Sequence, residues 1–296
     1  MRVLTGKHDS PVLLLHGGAG PADPQGSDSI RVQKATESLI HIGRAALAQK
    51  PNPVPMDLVV EALKGMENDE QFNAGYGSAL QSDGVPRLTA ALMNGDSQSF
   101  SGVISICNVK NPSVIARHLQ NEGSRVVTAP GHEWLARTLG LPVEPLISPR
   151  RLEKWYERAV KNIRDTSGDT VGSIYIAKDL SMAAGTSTGG RGFEMPGRVS
   201  DSATVAGNYA SRFAAVSATG VGEEIVDDAL SAKIEVRCRD GMSLKKACEV
   251  TFEEAIQLKR HYGWIALSRE EWAVCYTTGA MTYAVLSAKG DVIASS

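Results

Sequence analysis

The order of strand-like and helical segments limits the fold of this chain more than any other feature of its sequence. Short apolar runs typical of strands lie between Val171 and Thr219, and they return between Trp264 and Ala294. Between these two groups, the apolar spacing predicts two helices, over 223–239 and 243–261. Strands grouped together around paired helices favour a layered α+β fold with antiparallel sheets. A doubly wound parallel sheet would need regular alternation of strand and helix.

The first half of the chain combines strand, helix and glycine signals. Val12–Leu15 is predicted as a buried strand that runs into a glycine turn at His16–Gly20. Pro55 and Pro112 each mark the first turn of a helix, because proline fits a position that needs no backbone donor.

The composition argues against several classes of protein. The chain has 31 Lys+Arg against 33 Asp+Glu and no basic cluster, so no nucleic-acid partner is expected. No apolar run reaches the roughly 18 residues of a membrane span, and the polar N-terminus argues against secretion. The 4 cysteines form no CxxC pair, which favours a reducing, cytoplasmic location. The 6 histidines are isolated, so no metal ligands can be assigned from the residues and no cofactor is expected.

Residues 141–169 are the linker candidate in what we expect to be a single domain, 1–296. Leu141–Pro149 is punctuated by prolines, and a charged helical segment is predicted over 150–164. Asp165–Asp169 predicts an exposed turn directly before a strand.

The glycine clusters allow two interpretations that do not involve threonine. Gly17-Gly18-Ala19-Gly20 follows a strand but does not match GxGxxG, so a nucleotide site is weakly supported. Gly185–Gly189 fits the letters GxSxG, which makes an esterase-type serine hydrolase with Ser187 the main alternative. Its histidine would have to be His261, at the basic end of a predicted helix, where a cation facing the helix dipole is the better interpretation.

The third interpretation uses Thr170, which lies where the linker meets a strand. A threonine hydroxyl needs a base, and a free α-amine on the same residue, with a pKa of roughly 7.7–8.0, can serve. Cleavage of the Asp169–Thr170 bond would expose that amine. The simpler interpretation is that Thr170 is the first β-branched residue of a strand, and for a Thr-Val pair taken alone this is the better one, which spacing alone does not overturn.

Thr170 belongs to one of six motifs that are distributed over the whole chain. They occur in the order Leu15–Gly20, Phe72–Ser78, Asp169–Gly172, Thr186–Gly190, Pro196–Val199 with Asp201, and Thr219–Glu223. Together they resemble the plant-type L-asparaginase/isoaspartyl peptidase family of N-terminal-nucleophile hydrolases. The resemblance implies a four-layer αββα sandwich and a precursor that cuts itself before Thr170. It also implies an α subunit of residues 1–169 and a β subunit of residues 170–296, assembled as a dimer of α/β heterodimers.

The resemblance also implies a function and a role for each motif residue. The substrates would be β-aspartyl (isoaspartyl) peptides, including dipeptides, and the small molecule L-asparagine. Thr170 would be the nucleophile, Thr188 would hold it by a hydrogen bond, and Thr219 with Gly220 would form the oxyanion site. Arg198 would bind the substrate α-carboxylate, and Asp201, with the Gly222 carbonyl, the α-ammonium. Asn73 would lie beside the nucleophile, in a loop preceded by carbonyls that wrap a structural sodium ion in relatives.

Each of these roles has a simpler rival. Arg198 and Asp201 could form a surface ion pair worth under about 1 kcal/mol, and Thr219 could simply end a strand. A protein of this fold could also bind an aspartyl ligand without turning it over. The chain departs from the family at Ser200, usually glycine, and at Val221, commonly threonine. Both departures fall near the expected pocket, so the resemblance does not determine which of these substrates is preferred.

Overall fold

The computed structural model describes residues 1–9, 11–20, 27–161 and 169–295. It contains two β-sheets and eight α-helices among these residues, which confirms the predicted α+β class. In spatial order, the strands of the larger sheet are β13 (Val292–Ala294), β12 (Ala280–Ser287), β2 (Val12–Gly20), β6 (Val171–Ile176), β7 (Met182–Thr188), β3 (Leu88–Asn94), β4 (Ser99–Ile106) and β5 (Val126–Val127).

The smaller sheet has five strands, which in spatial order are β1 (Arg2–Lys7), β11 (Glu271–Tyr276), β10 (Tyr262–Leu267), β9 (Ala215–Gly220) and β8 (Asn208–Ala210). Neighbouring strands run antiparallel in both sheets, apart from β4 and β5, which pair in parallel. The predicted antiparallel sheets are therefore confirmed.

Eight helices accompany the two sheets in the described part of the chain. They are α1 (Ser27–Ala48), α2 (Pro55–Asn68), α3 (Pro112–Leu119), α4 (Gly131–Thr138), α5 (Pro149–Lys161), α6 (Gly222–Asp227), α7 (Leu230–Arg239) and α8 (Leu244–Gln257). Helices α1, α2 and α3 pack on the larger sheet, whereas α7 and α8 pack on the smaller one. Single 3₁₀ turns occupy Gly75–Gly77 and Asp201–Ala203. No helix among the described residues is long and apolar enough to cross a membrane.

The first residues of strand β2, Val12–Leu15, form a continuous apolar run instead of an alternating one, because both faces of the strand are buried. Leu13 and Leu15 face the core beneath α1 and α2, while Val12 and Leu14 face the core between the two sheets. Because successive side chains point to opposite faces and both faces are covered, every position is apolar. Strand β6 is built in the same way and lies beside β2.

The glycine turn predicted at His16–Gly20 is wrong, because these residues continue β2. Gly17 and Gly18 serve close packing instead of chain reversal. A Cβ atom on Gly17 would lie 2.7 Å from the ring of Phe72, and one on Gly18 would lie 2.7 Å from Asp169. Strand β2 can therefore approach Phe72 and Asp169 this closely only because residues 17 and 18 have no side chains.

Two helix predictions also differ from the structure. The helix predicted over 223–239 is divided between α6 and α7, with Ala229 in the left-handed region at φ 48°. The helix predicted to reach His261 ends at Gln257. The predicted dipole role of His261 is therefore wrong, since His261 lies outside the helix.

The helix starts predicted at Pro55 and Pro112 are confirmed. In the linker, α5 confirms the charged helix up to Lys161. The rest of that predicted helix, and the predicted turn as far as Gly168, lie outside the described residues.

Candidate active site

Thr170 lies directly before β6, at the centre of the larger sheet, and it is almost completely buried. Its backbone nitrogen donates a hydrogen bond to Oγ1 of Thr219, at 3.2 Å. Thr219 belongs to β9 of the smaller sheet, so the two sheets meet at this point. The Thr170 hydroxyl lies 3.4 Å from the hydroxyl of Ser202, a residue that the motifs did not single out.

The carbonyl of Asp169, on the other side of the same peptide bond, is held by two side-chain donors. Nδ2 of Asn73 donates to it at 2.7 Å, and Oγ1 of Thr188 donates at 3.3 Å. Asn73 is fixed in turn, since its Oδ1 accepts from the backbone of Ala79 at 2.8 Å and its Nδ2 also donates to Gly190. Donors placed in this way stabilise negative charge that develops on a carbonyl oxygen under attack.

The Thr188 hydroxyl differs from its predicted arrangement. A hydrogen bond to Thr170 was expected, whereas Thr188 donates to the Asp169 carbonyl and accepts from the Gly190 backbone at 3.1 Å. Thr188 nevertheless lies on the edge of the site, as the motifs predict.

Gly220 follows Thr219 at the end of β9 with a φ of 133°, a conformation that favours glycine. A Cβ atom there would lie 2.5 Å from Cα of Tyr262 on the adjacent strand. Thr219 is therefore the last residue but one of β9, whereas the simpler interpretation made it the last residue of a strand. Its hydroxyl nevertheless contacts Thr170, so this position is also part of the site.

Arg198 and Asp201 do not form the surface ion pair that was their simpler interpretation. Arg198 makes a bidentate pair with Glu223, with Nε and one terminal nitrogen at 2.9 and 2.8 Å from the carboxylate oxygens. Asp201 is buried, and its Oδ1 accepts from the Ser200 hydroxyl at 3.1 Å. A Cβ atom on Gly222 would lie 2.4 Å from the same oxygen, so that glycine also borders the carboxyl.

The surroundings of Asp201 suit a cationic partner. Burial raises the pKa of its carboxyl to about 6, against the opposing effects of the Ser200 hydrogen bond and the Arg198 charge. Its Oδ2 is buried and has no partner among the described residues. A buried carboxylate with a free oxygen, near a guanidinium, can receive the two charges of an α-amino acid.

His16 lies beneath the site as a neutral side chain. Its Nε2 is 2.8 Å from Oγ of Ser217, and burial lowers the pKa of the imidazole to about 3. A Cβ atom on Gly172, two residues after Thr170, would lie 2.0 Å from that serine oxygen and 2.1 Å from Nε2 of His16. Glycine is therefore required in β6 at this crossing of the two sheets.

Ser187 lacks the surroundings of a serine nucleophile. It is buried within β7 and donates a 2.8 Å hydrogen bond to Oε1 of Glu67 in α2. His261 is exposed and contacts Glu224 through its backbone nitrogen at 2.6 Å. No elbow turn and no imidazole adjoins Ser187 in the described part of the chain, so the esterase alternative has no support from this geometry.

Glu67 is a site neighbour that the motif comparison missed. It is fully buried and also accepts a 2.8 Å hydrogen bond from the Ser113 hydroxyl, and burial raises the pKa of its carboxyl to about 7. A signal was available in the sequence, since Glu67 follows Met66 on the apolar face of α2. A carboxyl group at such a position needs hydrogen-bond partners from elsewhere in the fold.

The loop between Glu67 and Ser78 brings backbone carbonyls together. A Cβ atom on Gly75 would lie 2.2 Å from the Glu67 carbonyl oxygen, and one on Gly77 would lie 2.1 Å from that of Phe72 and 2.8 Å from that of Glu70. Such hard oxygen donors suit a sodium ion better than a transition metal. Within the ranges that the structure describes, no three His, Cys, Asp or Glu side chains are grouped as a metal site would need.

A buried threonine at the start of a central strand, preceded by a carbonyl that two donors hold, has the geometry of a threonine-nucleophile hydrolase. Residues 9–293 match the model of the family described as asparaginase, and the chain belongs to that family.

Individual relatives agree with this assignment. The chain is 38% identical over 275 residues to an isoaspartyl peptidase/L-asparaginase of Synechocystis, with 88% of this chain and 83% of the relative covered. It is equally 38% identical to the protein of the same name from Nostoc, over 87% and 85% of the two chains. A plant-type L-asparaginase of Pyrococcus abyssi is 30% identical, over 85% and 86%.

Proposed function

We propose that this chain is an autoproteolytically activated amidohydrolase that cleaves β-aspartyl (isoaspartyl) peptides and L-asparagine with Thr170 as its N-terminal nucleophile. The observation that carries the proposal is the pair of donors on the Asp169 carbonyl, together with the buried hydroxyl of Thr170. The names of the relatives support the same substrate classes.

Maturation begins when Oγ1 of Thr170 attacks the carbonyl carbon of Asp169. Asn73 and Thr188 stabilise the charge that develops on the carbonyl oxygen. The C–N bond breaks as the threonine nitrogen takes a proton, which leaves an ester. Water then hydrolyses the ester to give a carboxylate on Asp169 and a free amine on Thr170, in pieces of 169 and 127 residues.

In turnover, the freed amine of Thr170 takes the proton of its own hydroxyl. The hydroxyl oxygen attacks the side-chain carbonyl of the substrate, and Thr219 with Gly220 stabilises the resulting oxyanion. Ammonia or the leaving amino acid departs with a proton, and water hydrolyses the acyl-enzyme. Arg198, once it exchanges Glu223 for the substrate, binds the α-carboxylate, while Asp201 and the Gly222 carbonyl bind the α-ammonium.

We further propose the finer features that the family resemblance implies. The two sheets and their outer helices form the four-layer αββα sandwich of N-terminal-nucleophile hydrolases, and the mature protein is a dimer of α/β heterodimers. The carbonyls of Glu67, Glu70 and Phe72 would hold a structural sodium ion, which would brace the loop that carries Asn73. The protein acts in the cytoplasm, in agreement with its four unpaired cysteines.

The first test follows the chain and its activity together. On a denaturing gel, the wild type is expected to resolve into pieces of 169 and 127 residues, while Thr170→Ala stays intact and inactive. A panel of isoaspartyl dipeptides and L-asparagine then measures aspartate release. An intact chain with full amidase activity would refute the threonine mechanism, and binding of aspartyl ligands without turnover would support the non-catalytic alternative.

Ser187→Ala tests the serine alternative directly, because it removes the hydroxyl that this mechanism needs. The threonine mechanism predicts that this variant still matures and turns over substrate, with at most a packing defect near Thr188. Complete loss of activity in a folded, cleaved Ser187→Ala protein would favour the serine alternative.

A further inference from the structure

Helix α5 places its apolar residues outward and its cations inward. Arg151, Lys154, Trp155 and Arg158 are half-buried and follow the spacing of one helix face. Leu152, Tyr156 and Val160 are 48, 65 and 66% exposed on the other side. A helix that only had to stay on the surface would have the opposite arrangement, because charged groups lose hydration when they turn inward.

The inward cations face a cavity of about 160 Å³ beside the peptide bond that Thr170 is proposed to cut. Asn73, which donates a hydrogen bond to the Asp169 carbonyl, also lines the cavity, and so does Asp169 itself. Among the described residues that line it, five are cations and Asp169 is the sole acid. The five are Arg31, Arg151, Lys154, Arg158 and Arg191.

Two of the cations around this cavity lie near carboxylates, whereas the described residues show no carboxylate contact for Arg151 or Lys154. Arg31 lies 3.4 Å from the Asp169 carboxylate, and Arg191 lies 3.6 Å from Glu223. Nε of Arg151 is buried without a partner among the described residues. Burial and the neighbouring arginines lower the pKa of Lys154 to about 8.

The helix is anchored in this unfavourable orientation. Nε1 of Trp155 donates a 2.9 Å hydrogen bond to the Gln81 carbonyl, and its ring packs against Phe193 with centroids 6.3 Å apart. At the N-terminal end, Ser148 is buried and its hydroxyl accepts from the backbone of Arg151 at 3.3 Å. These contacts hold the cations against the cavity.

We infer that this cavity is a carboxylate-binding site and that its ligand is the α-carboxylate formed on Asp169 by self-cleavage. The inference rests on the proposed function, because only cleavage creates that group. Hydrolysis of the Asp169–Thr170 bond adds one water and gives the carbonyl carbon a second oxygen, and at neutral pH the proton lost by the new carboxyl group is taken up largely by the new amine of Thr170. The new charge therefore appears on a residue that already lines the cavity, together with Arg151 and Lys154.

The consequence for the reaction is steric as well as electrostatic. A carboxylate drawn into the cavity by Arg151 and Lys154 moves away from Thr170, which leaves the nucleophile open to substrate. The same attraction keeps the end of the first piece from returning to the amine.

Two sources could supply a carboxylate or similar oxyanion to this site, and an anion titration separates them. Acetate and inorganic phosphate are titrated at constant ionic strength into the uncleaved Thr170→Ala protein and into the cleaved wild type, with the melting temperature as readout. The uncleaved protein is expected to show saturable stabilisation. The cleaved protein is expected to bind at least tenfold more weakly, because its own carboxylate fills the site.

Matched variants locate the effect on the helix. In the Thr170→Ala background, Lys154→Gln is expected to weaken anion binding at least fivefold, while Lys161→Gln, exposed at the end of the same helix, leaves it unchanged. Absence of saturable binding by the uncleaved protein would overturn the site. Equal binding before and after cleavage would assign the site to free anions and overturn the role of the new terminus.

Carboxypeptidase digestion gives a second readout that does not depend on added anions. In the cleaved wild type, the end of the first piece at Asp169 is expected to resist trimming, as followed by mass spectrometry, and in cleaved Lys154→Gln it is expected to be trimmed several-fold faster. Equal trimming would refute the inference alone. A wild-type chain that never cleaves would refute the self-cleavage as well, and the gel distinguishes these two failures.

Discussion

Glu67 provides the sharpest quantitative test of the structure, because its carboxyl is fully buried and yet accepts hydrogen bonds from Ser187 and Ser113. Its pKa is raised from 4.5 in the unfolded chain to about 7 in the folded protein. Below pH 4.5 the Glu67 carboxyl is protonated in both the folded and the unfolded protein, so the free energy of unfolding does not depend on its titration. As the pH rises from 4.5 to 7, the unfolded state loses the proton first, and the free energy of unfolding falls. With 1.36 kcal/mol per pKa unit, the total loss is about 3 kcal/mol and is complete above pH 7.

Glu67→Gln removes this titration while it keeps the size of the side chain. In the uncleaved Thr170→Ala background, we expect the difference in unfolding free energy between parent and Glu67→Gln to change by about 3 kcal/mol between pH 4.5 and 8, in favour of the variant at high pH. Urea titrations at several pH values measure it. Glu61→Gln, on a more exposed side of the same helix, is the control and should follow the parent curve. Parallel curves for the parent and Glu67→Gln would refute the reasoning about burial.

Four further outcomes are expected. Asn73→Ala removes a donor from the Asp169 carbonyl and should slow self-cleavage by roughly 10²–10³, as timed on a denaturing gel; maturation at the parent rate would contradict the role of that 2.7 Å contact. L-Aspartate inhibition should weaken about tenfold per pH unit below about 6, where the Asp201 carboxyl takes a proton, and a flat inhibition constant would argue against that contact. Arg198→Lys loses the planar fork and should raise the same inhibition constant about tenfold, whereas equal values would place the arginine outside the pocket. Gly172→Ala should lower the free energy of unfolding, measured by urea titration, by about 1–3 kcal/mol, because its Cβ would lie 2.0 Å from a buried serine oxygen; an unchanged free energy would show that the two sheets can move apart.

Local features of the sequence predicted much of the fold. Prolines marked the helix starts at 55 and 112, and the buried strands were recognised from apolar runs. Two features escaped this approach for physical reasons. Alanine favours a helix, so nothing in the sequence indicated the left-handed Ala229 that divides α6 from α7. Strand β8 reads Asn-Tyr-Ala, so it contains no apolar run that would indicate a strand.

The site was predicted less completely, because its partners come from distant parts of the chain. Thr170, Asn73 and Thr188 were found through motifs, but no spacing indicated that Ser187 would bond to a glutamate 120 positions away. The sequence also did not indicate that Arg198 would pair with Glu223, 25 positions further along the chain. Consecutive glycines such as Gly17 and Gly18 predict a turn, whereas the close packing that they serve here leaves no local pattern in the sequence.

The strand order of the larger sheet determines how a cleaved protein could unfold and recover. Strands β13, β12, β6 and β7 follow residue 170, whereas β2, β3, β4 and β5 precede it, and β2 lies between β12 and β6. A cut before Thr170 leaves two polypeptides interdigitated within one sheet, so neither can dissociate while the sheet is intact. Folding of the intact precursor is a first-order process, but regain of the native state after cleavage is an encounter between two chains. The cell would therefore have one concentration-independent opportunity to fold this protein, before Thr170 acts on its own backbone.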